Sequence, residues 1–219
     1  MYDLQKMKYT LSKRNEIIDQ VRQHIEQLRE SAVHYRYATA FDFLGLSSPR
    51  LIVDIITGGY KKGRLLKNKP KTNRYHQCFY DKEGNCIYFE SYNEFGCSFT
   101  TYFLRTEDSV IIAPFIGRSK DEYPSYVYVA YYDESDKIIE YSELTPSSIT
   151  TENYHYLNKE EAICYRTTYV PKRSSGSLSE SKCWLQLKNE KVMKLKYFER
   201  CNDKETCTYC YEKESKRRL

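Results

Sequence analysis

The sequence predicts an α+β, mainly β protein: an N-terminal helical segment followed by an antiparallel β-meander of repeated hairpins. Three observations carry this. Early in the chain, apolar residues recur at spacings of three and four, as on one face of a helix. From Tyr75 onward, aromatic and β-branched runs alternate with short acidic or Asn/Lys-rich turns. Of 219 residues, 23 are Tyr but only 8 are Gly and 6 Pro, a balance that suits half-buried strands rather than loops. With 40% hydrophobic and 30% charged residues, the composition argues against disorder over most of the length.

The helical stripe is Ile17, Val21, Ile25, Leu28, Ala32 and Tyr35, with Ser12 as the expected N-cap and His24 and His34 on the same helix. A second helix is expected over Pro49 to Thr57, capped by Ser48 and stopped by Gly58 and Gly59. The run Lys61–Arg74 holds seven basic residues among fourteen and no acidic one. Gly63 and Pro70 make it a link rather than an element. This divides the chain into residues 1–74, helical segment and basic linker, and 75–219, the meander, with the helix packed on the sheet as one structural unit.

Turns recur at Asp81 (DKEG), Glu107 (EDS), Asp133 (DESD), Asn158 (NKEE), Lys188 (KNEK) and Asn202 (NDKE). The first three intervals are 26, 26 and 25 residues. Each turn joins two strand-like runs, such as NCIYFESY after RYHQCFY, which makes a hairpin the repeating unit. Gly84 stands where a hairpin loop needs a left-handed residue. Pro171–Ser181 reads as a loop, CWLQL, VMKLKYFER and TCTYCYEK as final strands, and SKRRL as a frayed tail.

The formal charge of +5 hides a strong asymmetry. Residues 1–74 carry 15 Lys/Arg against 7 Asp/Glu, a net of +8; residues 75–170 carry 7 against 16, a net of −9; residues 171–219 carry 13 against 7, a net of +6. The acidic segment reads either as a solvated sheet face with acidic turns or as a docking surface for a basic protein partner, built from Asp81, Glu83, Glu107, Asp108, Asp133, Glu134, Asp136, Glu160 and Glu161. These cluster only if alternate hairpin turns share one edge of the sheet. The alternative is a nucleic-acid-associated module using the basic C-terminal strands and Lys61, Lys62, Arg64, Lys67, Lys69, Lys71 and Arg74, with Tyr60 and Tyr75 as stacking groups.

Chemistry-bearing motifs are sparse. CTYC, Cys207 to Cys210, has CxxC spacing but sits in a strand-like run rather than at a helix start. A zinc site would draw Cys183 and Cys201 into the set, without a second CxxC or HxxxH to signal it. A nucleophilic pair such as Cys78 with His155 would have to meet in space. GxSxG and GxxxxGK[ST] are absent. The expectation is a non-catalytic protein with no metal and no cofactor. The start of the chain lacks a signal-like apolar core and no run of about 18 apolar residues exists, so no membrane partner and a cytoplasmic location with reduced thiols are expected.

The segment GRLLKNKPKTNRYHQCFYDKEGNCIYFESYNEFG, with the Tyr-rich hairpins after it, resembles small bacterial β-meander proteins encoded near polymorphic toxins, many of which are immunity proteins. The resemblance covers roughly the last two-thirds of the chain and transfers no individual site residue. It implies a cytosolic protein that binds and blocks a cognate toxin, for which an acidic surface would suit a basic nuclease-like domain.

Overall fold

The structure is a computed structural model and describes residues 3–39, 64–117, 124–171, 176–188, 191–201 and 204–212. The predicted helix over Pro49 to Thr57, Lys61, Lys62, Tyr60 and the SKRRL tail lie outside them. The helical stripe forms on α2 (Arg14–Glu30) from Ile17 to Leu28, and a shorter helix, α1 (Leu4–Ser12), precedes it. Asp3 caps α1, its Oδ1 accepting from the Gln5 and Lys6 amides at 2.9 and 3.1 Å. Ser12 is therefore not the N-cap expected: it closes α1, and its hydroxyl donates to the Tyr9 carbonyl at 2.7 Å. α2 buries Ile18, Val21 and Ile25 and ends at Glu30. Tyr35 and His34 fall beyond it, in β1 (His34–Ala38), because cross-strand pairing there overrides the helical spacing.

The sheet then follows chain order. Its strands are β2 (Leu65–Leu66), β3 (Tyr75–Tyr80), β4 (Cys86–Asn93), β5 (Gly96–Arg105), β6 (Ser109–Ile116), β7 (Val127–Tyr132), β8 (Ile138–Leu144), β9 (Ile149–Tyr156), β10 (Glu161–Val170), β11 (Ser177–Lys188), β12 (Lys191–Cys201) and β13 (Lys204–Glu212). From β3 to β13 each strand pairs antiparallel with the next, and β1 and β2 extend the β3 end, giving thirteen strands in one sheet among the described residues. The helical segment thus also supplies two strands, and Leu65–Leu66 of the basic link pairs with Tyr37 and Ala38. Ser177–Ser181, expected as loop, is strand paired to Arg166–Val170.

The helices lie on one face. Met7, Ile18, Val21 and Ile25 pack with Tyr102, Ala113, Phe115, Val127, Leu144 and Ile149 from the sheet, all buried. Arg14, buried at the start of α2, donates to the Pro124 carbonyl and ties the helix to the segment before β7. The other face buries its own clusters: Cys78, Phe89, Phe103 and Ile112 toward β3, and Tyr141, Tyr154, Cys164, Cys183 and Leu185 toward β11. Tyr128 and Tyr132 of β7 pack against both. Central strands therefore read as near-continuous buried runs instead of alternating ones, as strands covered on both faces do.

Gly176, just before β11, shows how tightly the sheet is closed there. A Cβ on it would lie 2.4 Å from the Tyr169 ring, which is itself buried among the core residues under the helices. Gly176→Ala is expected to push that ring out of place and to lower unfolding free energy by about 1–3 kcal/mol, read by urea denaturation. Gly176→Ala with Tyr169→Leu should recover part of the loss, and a cost of the single change within ~0.5 kcal/mol would contradict this packing.

Candidate functional site: an acidic edge of turns

In a meander, successive turns alternate between the two edges of the sheet, so every second turn shares one edge. The β3–β4, β5–β6, β7–β8 and β9–β10 turns occupy the same edge, and they are the four acidic turns. The structure therefore brings Asp81, Glu83, Glu107, Asp108, Asp133, Glu134, Asp136, Glu160 and Glu161 into one row. At about 4.8 Å per strand the row runs roughly 29 Å. Its turns, 81–85, 106–108, 133–137 and 157–161, contain nine carboxylates against Lys82, Lys137 and Lys159, a net of −6.

Some of these acids build the turns. Asp81 Oδ1 accepts the Asn85 amide at 2.8 Å, and Gly84 takes the left-handed φ of +85° that closes the loop. Burial works against the Asp81 charge, but hydrogen bonds from Asn85, Glu83 and Gly84 outweigh it and hold the carboxyl below its ordinary value. Asp133 Oδ1 accepts the Ser135 and Lys137 amides at 2.8 and 3.0 Å, and Asp136 adopts φ +58°. Asn158 caps the Glu160 amide at 2.7 Å and donates to Glu161 Oε2 at 3.1 Å. The carboxylates of Glu83, Glu107, Asp108, Glu134, Asp136 and Glu160 sit on exposed residues.

The basic alternative is arranged less favourably. Arg74 precedes β3 at the end of that strand away from Asp81. Tyr75, expected as a stacking platform, is buried and already stacked on Tyr92 with centroids 4.7 Å apart. Lys69 covers its ring at 5.0 Å, and the hydrogen bond to the Tyr75 hydroxyl holds the ammonium above its ordinary value. Arg64 donates its amide to Thr39 Oγ1 at 3.2 Å, while Lys67 and Lys71 are exposed.

The Cys78–His155 pairing does not form, and the side chains of Cys201, Cys207 and Cys210 lie outside the described residues. Cys78 on β3 and His155 on β9 are six strands apart, about 29 Å, so they do not form a nucleophilic pair. A hydrogen bond with Cys86, with burial next, drives the Cys78 thiol far up; burial pushes Cys183 up to about 12 and Cys164 well above its ordinary value. Such thiols are poor nucleophiles. Among the described residues no group of three or more His, Cys, Asp or Glu is placed to hold a metal ion. Also among them, no helix is long and apolar enough to cross a membrane.

One further feature was not signalled by spacing. A groove of about 600 Å³ runs between α1 and the helix face of β8–β10. Its lining comes from four elements, α1, β8, β9 and β10, so only the fold assembles it. No family model, no curated protein and no solved structure matches this chain.

Proposed function

We propose that this is a non-catalytic, protein-binding protein of the cytoplasm whose basic partner docks on the acidic edge, most concretely an immunity protein that neutralises a toxin. The observation that carries the reading is the gathering of nine carboxylates onto four turns of a single edge. An extended row of one sign speeds encounter with a basic surface and disfavours acidic partners. A toxin domain built to hold phosphate presents such a surface, and an acidic edge seated on it would exclude the substrate.

The exposed carboxylates that hold no turn together are the ones to reverse. Glu83→Lys, Glu107→Lys, Glu134→Lys and Glu160→Lys together should leave the fold intact and slow association with the partner by about tenfold or more at low salt. Capture from the producing cell's lysate, with wild type and this variant in parallel, measures it. A basic protein held by wild type, released as salt rises from ~50 to ~200 mM, and missed by the variant is the expected result. Recovery of nucleic acid by both proteins would overturn the reading in favour of the basic segment.

A further inference from the structure

The groove beside α1 has a chemistry of its own. Register places Glu140 of β8 opposite Asn153 of β9, and Asn153 opposite Tyr165 of β10. The three line the groove with Lys6, Met7 and His155. Neighbouring strands lie about 4.8 Å apart, so a carboxylate, an amide and an aromatic ring form a row about 10 Å long. Two cations of the chain itself already sit on its ends. Lys6 of α1 reaches Glu140 at 2.6 Å, with its side chain 57% exposed and that of Glu140 19%. Lys182 of β11, opposite Tyr165, lies 6.0 Å from that ring's centroid, and Tyr165 is 41% exposed.

The groove also joins the acidic edge. It ends at Leu157, directly before the Asn158–Glu161 turn, and Glu140 lies four residues past Asp136. Its lining acids are Asp3 and Glu140, balanced by Lys6 in the lining and Lys182 at the Tyr165 end, so a cation entering the groove exchanges for one of the chain's own lysines. We propose that this groove receives an arginine side chain of the basic partner, the guanidinium pairing with Glu140 and lying over Tyr165. The proposal rests on the docking reading above. Arginine is favoured over lysine because its planar fork meets a carboxylate through two hydrogen bonds and stacks on an aromatic face, which an ammonium cannot do. An exposed lysine such as Lys6 is a weak competitor, since surface ion pairs contribute little.

The test is an amide NMR titration of the full chain with acetyl-hexaarginine-amide and acetyl-hexalysine-amide at low salt. The expected result is movement of the Asn153, His155 and Tyr165 amides, with the arginine peptide bound about tenfold more tightly. Glu140→Gln and Tyr165→Leu should each erase that preference without lowering the melting temperature, and Lys6→Ala should strengthen arginine-peptide binding. Equal binding of the two peptides, or movement confined to the turns at 81–85, 106–108 and 133–137, would overturn it. The edge reading fails separately. If the four-lysine variant binds both peptides as wild type does while the groove amides still prefer arginine, the groove stands and the edge does not.

Discussion

Phe115→Ala is expected to cost about 3–5 kcal/mol of unfolding free energy, the largest single effect anticipated for this chain. Phe115 of β6 is fully buried in the cluster where the helices meet the sheet, edge-on to Tyr102 with ring centroids 5.9 Å apart. Truncation removes the ring's transfer free energy and leaves a cavity walled by strands that are hydrogen-bonded on both sides, so little collapse can offset it. Phe115→Leu should cost under about 1.5 kcal/mol, because most of the volume remains. Tyr9→Ala, at an exposed position of α1, should stay within ~0.5 kcal/mol. Urea denaturation with unchanged slope reads all three. A loss below about 1 kcal/mol for Phe115→Ala would mean that the helices are not seated on the sheet as described.

Stability should also fall as pH drops from about 6.5 to about 4, because of His76. This side chain is buried in β3, with Nδ1 2.8 Å from Ser91 Oγ and its ring edge-on to Phe89. Burial lowers its pKa from 6.5 to about 4. Above pH 6.5 neither the folded nor the unfolded chain protonates it, and its full contribution is present. Between those values the unfolded chain takes up the proton and the folded chain does not, so unfolding is favoured as pH falls. A separation of that size corresponds to roughly 3 kcal/mol. Below this window the Asp81 carboxyl adds a second loss, since its folded pKa lies below the unfolded value and its hydrogen bonds are surrendered on protonation. Chemical denaturation at half-unit pH steps should show the slope in wild type and a flatter profile in His76→Gln. Equal profiles would show that His76 is not buried neutral.

Much of the fold was legible because its determinants are local. A hairpin needs two strand-like runs and a turn residue with the right backbone, and Asp81, Gly84, Asp133 and Asn158 provide that chemistry within five residues of chain. Once consecutive strands pair, turn spacing alone sends the acidic turns to one edge, so the nine carboxylates were identifiable in advance. The errors arose where local signal yields to distant partners. Tyr35 continues the helical spacing but pairs with Phe79, forty-four residues away. Ser177–Ser181 has loop composition but is held extended by pairing with Arg166–Val170 of β10. Tyr75 has the composition of a stacking platform, and Tyr92 takes its face.

The amino-acid sequence by itself determined the meander, its acidic turns and the apolar stripe of α2, since each depends on spacings within a few residues. Only the tertiary structure decided where that stripe lies, which rings are covered and which side chains meet. The row of Glu140, Asn153 and Tyr165 depends on the register of two strand pairs, and Lys6 joins it from the other end of the chain. Such a site has no sequence signature, because pairing register and helix docking are set by packing across the whole sheet rather than by any neighbouring residue.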